Sequence, residues 1–155
     1  MSAKSLAEKV DERVSCICYF GGDPSVQLPH ALKTSEIAFE VGGKRRILRI
    51  CWETNGYMTG SLEKAARLSL DSGGVMKFDL KAWDEDLNRA LCGVSNKPSL
   101  ENFRKVGEEF FRQRAGLPVL TASTLLIPGY IDAKEIRRIA SFIADIDRRI
   151  PYTLL

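Results

Sequence analysis

Residues 75–81 read VMKFDLK, and from Met76 onward apolar and charged side chains alternate. Successive side chains of a β-strand point to opposite faces, so this segment predicts a strand with two unlike faces. The apolar face holds Met76, Phe78 and Leu80, and the charged face holds Lys77, Asp79 and Lys81. A central strand with helices on both sides is usually apolar throughout. We therefore expect helices on one side and the polar lumen of a barrel-like sheet on the other; an edge strand with one solvated face is the alternative.

Strand and helix patterns alternate along the rest of the chain. Strands are predicted over 14–20, 47–52, 75–81, 119–127 and 152–155. Helices are predicted over 4–13, 28–40, the stretch after Ser61, 85–91, 100–114 with Ser99 as its cap, and the stretch after Asp132, whose capping box is completed by Glu135. Strands separated by helices imply crossover connections and a parallel sheet. The predicted fold class is α/β, an incomplete (β/α) barrel of the TIM type, forming a single domain over residues 1–155.

Composition excludes several classes of protein. Hydrophobic residues make up 45% of the chain and charged residues 28%, which is typical of a globular domain and not of a disordered chain. No run approaches the 18 or so apolar residues of a membrane span, and the charged N-terminus lacks a signal sequence, so we expect a cytoplasmic location without membrane contact. The net charge of +3 comes from interleaved acids and bases and does not predict nucleic-acid binding.

Four cysteines occur at positions 16, 18, 51 and 92, and no pair has the C-x-x-C spacing of a zinc or redox site. In the cytoplasm they would remain thiols. Cys16 and Cys18 share one face of the first strand, where we expect them to be small buried residues and not metal ligands.

Each predicted strand ends in a polar turn, and the carboxyl ends of the strands of a βα barrel form its active site. Gly21 and Gly22 would let the backbone approach a ligand, and Asp23 could accept hydrogen bonds from an ammonium group. Lys81 could bind a carboxylate. These groups suit a zwitterionic amino acid. The alternatives are an ordinary turn at the glycines and an ion pair between Asp79 and Lys81.

Other reaction classes find little support. The chain has no nucleophile elbow, no H-E-x-x-H motif and no P-loop. Its one histidine, His30, lies at a predicted helix start, where capping is a simpler role than catalysis. Lys81 could instead form a Schiff base as in aldolases, although Asp79 would tend to keep it charged.

The turns taken together resemble those of a known family. In order they are Gly21-Gly22-Asp23-Pro24, Glu53-Thr54-Asn55-Gly56, Phe78-Asp79-Leu80-Lys81, Gly93-Val94-Ser95-Asn96 and Ile127-Pro128-Gly129. The series is similar to radical SAM enzymes, in particular to glycyl-radical enzyme activating enzymes of the pyruvate formate-lyase type. The resemblance covers nearly the whole chain. It implies a partial (β/α)6 barrel that binds S-adenosylmethionine at a [4Fe–4S] cluster, which donates the electron that cleaves the sulfonium.

The resemblance also implies roles for single residues. The glycine turn would contact the methionine amino group, with Asp23 in place of the family's glutamate. Lys81 would contact the ligand carboxylate, and a monovalent cation would lie at Glu53, Thr54 and Asp79. The full set of implied cofactor-binding residues is Gly21, Gly22, Asp23, Glu53, Thr54, Asn55, Asp79, Lys81, Ser123 and Leu125. The family usually has a basic side chain where Ser123 stands.

The departure from the family is the absence of its C-x-x-x-C-x-x-C motif, together with the first βα unit. Thiolates hold the iron atoms of such clusters, so we expect neither cluster ligands nor catalytic residues in this chain. The chain would be a truncated product, half of a split enzyme or a product of an internal start. Its partners would be the missing cluster-binding segment or subunit and a glycyl-radical enzyme. A non-catalytic ligand-binding or scaffold remnant is the alternative. The predicted strand 14–20 would be an unprotected edge, so we expect self-association through it.

Overall fold

The computed structural model describes residues 1–43, 47–58 and 60–155. Its five strands are β1 (Cys16–Tyr19), β2 (Arg49–Thr54), β3 (Met76–Asp79), β4 (Leu120–Thr124) and β5 (Tyr152–Leu154). Every neighbouring pair is parallel, and the spatial order follows the chain order from β1 to β5. The sheet is open, with β1 and β5 at its edges. The predicted parallel α/β architecture is confirmed.

Within the described residues, the first helix precedes the first strand, and the other helices connect consecutive strands. The helices are α1 (Ala3–Ala7), α2 (Leu28–Ala38), α3 (Leu62–Ser72), α4 (Glu85–Cys92), α5 (Lys97–Phe110) and α6 (Ala133–Ile146). Shorter turns of 3-10 helix lie at Pro24–Gln27 and Phe111–Gln113, and a π-helical turn at Phe39–Gly43 extends α2. No helix in the described part of the chain is long and apolar enough to cross a membrane.

The two faces of the sheet differ as the alternation predicts. Trp52 and Phe78 lie on the face that packs against the helices, and both are fully buried. On the other face, strand register places Glu53 beside Lys77 and Asp79 beside Ser123. The side chains of Lys77 and Asp79 remain 29% and 32% exposed. Helices on one side and a half-open polar surface on the other are the geometry of a partial barrel, whose lumen is the polar face.

Several predicted boundaries are wrong. The first helix ends at Ala7, not near residue 13. The helix predicted to start after Ser99 begins at Lys97, because Pro98 fits the first turn of a helix, and Ser99 is buried within that turn. Ser61 precedes α3 as expected, but its side chain donates and accepts no capping hydrogen bond there.

Candidate functional site

Asp23 joins the turn after β1 to the turn after β2. Its carboxylate accepts hydrogen bonds from the backbone N–H of Ser25 at 2.8 Å, the backbone N–H of Asn55 at 2.6 Å and the hydroxyl of Thr54 at 3.1 Å. Burial alone would raise the pKa of Asp23, but these hydrogen bonds outweigh it and lower the pKa. Asp23, the predicted acceptor for an ammonium group, is therefore an ionised carboxylate whose oxygens already accept hydrogen bonds from the two turns.

The two glycines before Asp23 keep the backbone accessible. Gly21 and Gly22 have φ values of +80° and +66°, which glycine adopts without strain. A Cβ atom built on either residue would meet no atom within 4 Å. The peptide groups of this turn therefore face open space, as close approach by a ligand requires.

Lys81 and Asp79 form the ion pair that the sequence left as an alternative. Lys81 Nζ lies 3.2 Å from Asp79 Oδ2, and the Ser123 hydroxyl donates to Asp79 Oδ1 at 2.5 Å. The side chain of Lys81 is 37% exposed. An ammonium has three donors, so Lys81 can hold Asp79 and still donate to a ligand.

Glu53 and Thr54 are adjacent in sequence, but their side chains lie on opposite faces of β2. Glu53 pairs with Lys77 at 2.8 Å on the open face, and this hydrogen bond raises the pKa of Lys77. Thr54 aligns with Phe78 on the helix-packed face. The structure thus brings Glu53 and Asp79 to one face without the Thr54 side chain. Among the described residues, no group of three or more His, Cys, Asp or Glu side chains is arranged to hold a metal.

Four of the predicted site residues converge on one cavity of about 240 Å³ at the carboxyl ends of the strands. They are Asp23, Asn55, Asp79 and Lys81. Residues from α4 and the start of α5 close its other side. Gly21 and Gly22 line a neighbouring groove of about 480 Å³ beside β1, which also includes Asp23. Ser123 reaches the site through Asp79, whereas Leu125 is 54% exposed and lines neither space.

The segment that follows Lys81 is clamped from two sides by residues that the sequence analysis did not assign to the site. Glu135 of α6 accepts hydrogen bonds from the backbone N–H groups of Trp83 at 2.7 Å and Asp84 at 2.9 Å. The Asn96 amide donates to the carbonyls of Ala82 and Trp83. The predicted cap at Asp132 is confirmed, but its partner Glu135 spans to α4 instead of completing a capping box. Sequence spacing carries no signal for this contact.

The cysteines are less buried than expected. Cys16, Cys18 and Cys92 are exposed, Cys51 is buried, and all four are free thiols. The sulfur atoms of Cys16 and Cys51 lie 3.5 Å apart on the open face of the sheet. Although Cys16 is exposed overall, partial desolvation of its thiol and the contact with Cys51 raise the pKa of that thiol to about 12. The prediction of small buried residues is wrong for Cys16 and Cys18, because their face of the sheet is uncovered.

The sequence is similar to those of several activating enzymes. The chain is 32% identical over 136 residues to an isethionate sulfite-lyase activating enzyme of Oleidesulfovibrio alaskensis, a match that covers 87% of this chain and 39% of the relative. A Methanocaldococcus jannaschii protein named for the glycyl-radical enzyme activating enzymes is 29% identical over 152 residues, covering 97% of this chain and 53% of the relative. The chain thus spans about half or less of the length of these relatives.

The fold has a counterpart among solved structures. The crystal structure of a domain of pyruvate-formate lyase-activating enzyme from Bacteroides vulgatus superposes with a TM-score of 0.62 at 23% identity, over 89% of this chain and 76% of that one. This likeness supports the partial-barrel fold. The family model described as the radical SAM superfamily matches residues 1–143. The chain belongs to the radical SAM superfamily.

Proposed function

We propose that this chain carries the S-adenosylmethionine-binding part of an activating enzyme for a glycyl-radical enzyme. The observation that carries the proposal is the convergence of Asp23, Asn55, Asp79 and Lys81 on one cavity at the carboxyl ends of the strands. Superfamily membership supports the cofactor, and the names of the relatives support the activating role. The target would be a glycyl-radical enzyme that docks at the open face.

The residues present fit the amino-acid end of the cofactor. Lys81 would donate to its carboxylate, and the exposed peptide groups of Gly21 and Gly22 would receive its ammonium group. Asp23 would brace the turn, as its bonds to Asn55 and Thr54 show it already does. Ser123 would act through Asp79, and Glu53 with Asp79 would supply oxygen ligands to a monovalent cation. Leu125 would contact only a part of the cofactor that extends beyond the cavity and the groove. Pairing of the Lys81 ammonium with Asp79 suits carboxylate binding better than attack on a carbonyl.

The residues present do not fit the [4Fe–4S] cluster of the family. Cys16, Cys18 and Cys51 lie in strands, and the sequence has no C-x-x-x-C-x-x-C motif. We therefore propose that cluster thiolates come from polypeptide outside these residues, as a further segment or a separate subunit, and that these residues alone bind the cofactor without cleaving it. We propose a cytoplasmic location, where the four cysteines would remain thiols.

Calorimetric titration of the full chain with S-adenosylmethionine tests this proposal. Lys81→Ala should weaken binding by about 1.5–3 kcal/mol, the worth of a hydrogen bond to a charged group, or roughly 10- to 150-fold. Lys77→Ala is the matched control, because Lys77 is also a half-exposed lysine paired with an acidic side chain, but it does not line the cavity. We expect the control to bind within about threefold of the wild type. Equal affinity of Lys81→Ala and wild type would remove Lys81 from the site.

A further inference from the structure

The sulfur atoms of Cys16 in β1 and Cys51 in β2 are in direct contact on the open face of the sheet. The distance between them is 3.5 Å, close to van der Waals contact for two thiols. Cys18 lies directly beside Cys51 in the strand register, yet its sulfur turns to Glu53 Oε1 at 3.9 Å. The sulfur contact that the structure shows for Cys51 is therefore with Cys16.

The two thiols differ in access. Cys16 is exposed, whereas Cys51, on the neighbouring strand, is 8% exposed. A dissolved reagent would meet Cys16 first, and Cys51 would be positioned to react with whatever adduct formed there. Access of the reagent to the first thiol and a second thiol within reach of the mixed disulfide are what formation of an intramolecular disulfide by exchange needs.

We propose that Cys16 and Cys51 form a modification site at which a low-molecular-weight disulfide oxidises the pair to an intramolecular disulfide. The Cys16 thiolate attacks one sulfur of the small disulfide, forming a mixed disulfide and releasing one small thiol. The Cys51 thiolate then attacks the Cys16 sulfur, forming the Cys16–Cys51 bond and releasing the second small thiol. Two electrons pass from the protein to the reagent, and the two cysteine protons end on the released thiols.

The site is separate from the proposed cofactor cavity. Neither cysteine lines that cavity. Cys51 instead lines a space of about 340 Å³ together with Gly73, Gly74 and Val75, which precede β3. The disulfide would join the first residue of β1 to the third residue of β2. Because this site lies outside the cavity, it can be tested whether or not the chain binds S-adenosylmethionine.

Peptide mapping by mass spectrometry tests the proposal. The full chain with Cys92→Ser, which removes an exposed thiol far along the sequence, is incubated with excess oxidised glutathione at about pH 9.5, because the raised pKa of the Cys16 thiol leaves little thiolate near neutral pH. We expect a peptide pair joined through Cys16 and Cys51, lighter by two hydrogen atoms, as the major cross-link, because these two sulfur atoms are in contact. Dithiothreitol should reverse it.

Two further variants make the result specific. Cys18→Ser in the same background should retain the bridge, and Cys16→Ser should lose it. The wild-type chain is mapped in parallel, so that a folding defect of Cys92→Ser does not decide the outcome. A bridge between Cys18 and Cys51, or glutathione that stays on Cys16 while Cys51 remains a free thiol, would overturn the proposal.

Discussion

Glu135→Ala removes the carboxylate that ties α6 to the segment after Lys81. Glu135 Oε2 accepts two backbone hydrogen bonds, from Trp83 and Asp84, and the side chain is 8% exposed. Hydrogen bonds to charged groups contribute about 1.5–3 kcal/mol each. Asp84 is exposed, so water can replace the carboxylate at its N–H group and reduce the loss. We therefore expect Glu135→Ala to lower the free energy of unfolding by about 2–4 kcal/mol. Glu135→Gln keeps an oxygen acceptor without the charge and should cost about 1 kcal/mol.

Urea unfolding followed by circular dichroism measures these differences. Glu108→Ala is the control, because Glu108 is an exposed helical glutamate whose ion pair with Arg104 spans 3.4 Å on the surface. Exposed pairs of this kind contribute little, so the control should remain within about 0.5 kcal/mol of the wild type. Equal losses in the free energy of unfolding for Glu135→Ala and Glu108→Ala would show that Glu135 does not stabilise the segment at Trp83 and Asp84.

Three further predictions concern stability and association. Arg114 donates five hydrogen bonds to backbone carbonyls. Lysine has fewer donors and lacks the planar guanidinium group, so Arg114→Lys should lower the free energy of unfolding, measured by urea titration, by about 2–4 kcal/mol. A loss below about 0.5 kcal/mol would contradict this. The folded state lowers the pKa of Asp23, so its carboxylate stabilises the fold above the ordinary pKa of 3.8, and this contribution is lost as the pH falls below that value. The free energy of unfolding of Asp23→Asn should therefore decrease less steeply with acidification than that of the wild type. Parallel pH curves for the two proteins would contradict this. The unpaired edge of β1 should make the chain self-associate, as measured by light scattering. Cys18→Lys should reduce this self-association, because it places a charge on the edge strand. A monomeric wild-type chain at high concentration would contradict the prediction.

The sequence predicts much of the fold because its signals are local. The alternation of Phe78 with Asp79 fixes which side of β3 packs against helices, and the Asp132 cap marks the start of α6. The same alternation places Asp79 and Lys81 on one face. The convergence of turns at the carboxyl ends then follows from parallel strands.

The remaining features depend on contacts between distant residues. Glu135 lies 52 positions from Trp83, and nothing in its neighbourhood distinguishes a clamp from a capping box. Alternation shows that Cys16 and Cys18 share a face but not whether that face is covered. The Asp23 carboxylate accepts a hydrogen bond from Asn55, 32 positions away in the chain. Local sequence patterns cannot predict a contact over that separation.

A crystal structure of the full chain grown with S-adenosylmethionine would show directly where the cofactor binds. We expect the cofactor's carboxylate within hydrogen-bonding distance of Lys81 Nζ and its amino group beside the backbone of Gly21 and Gly22. Cofactor bound at another surface, with Lys81 and the glycine turn free of it, would contradict the assignment of this cavity.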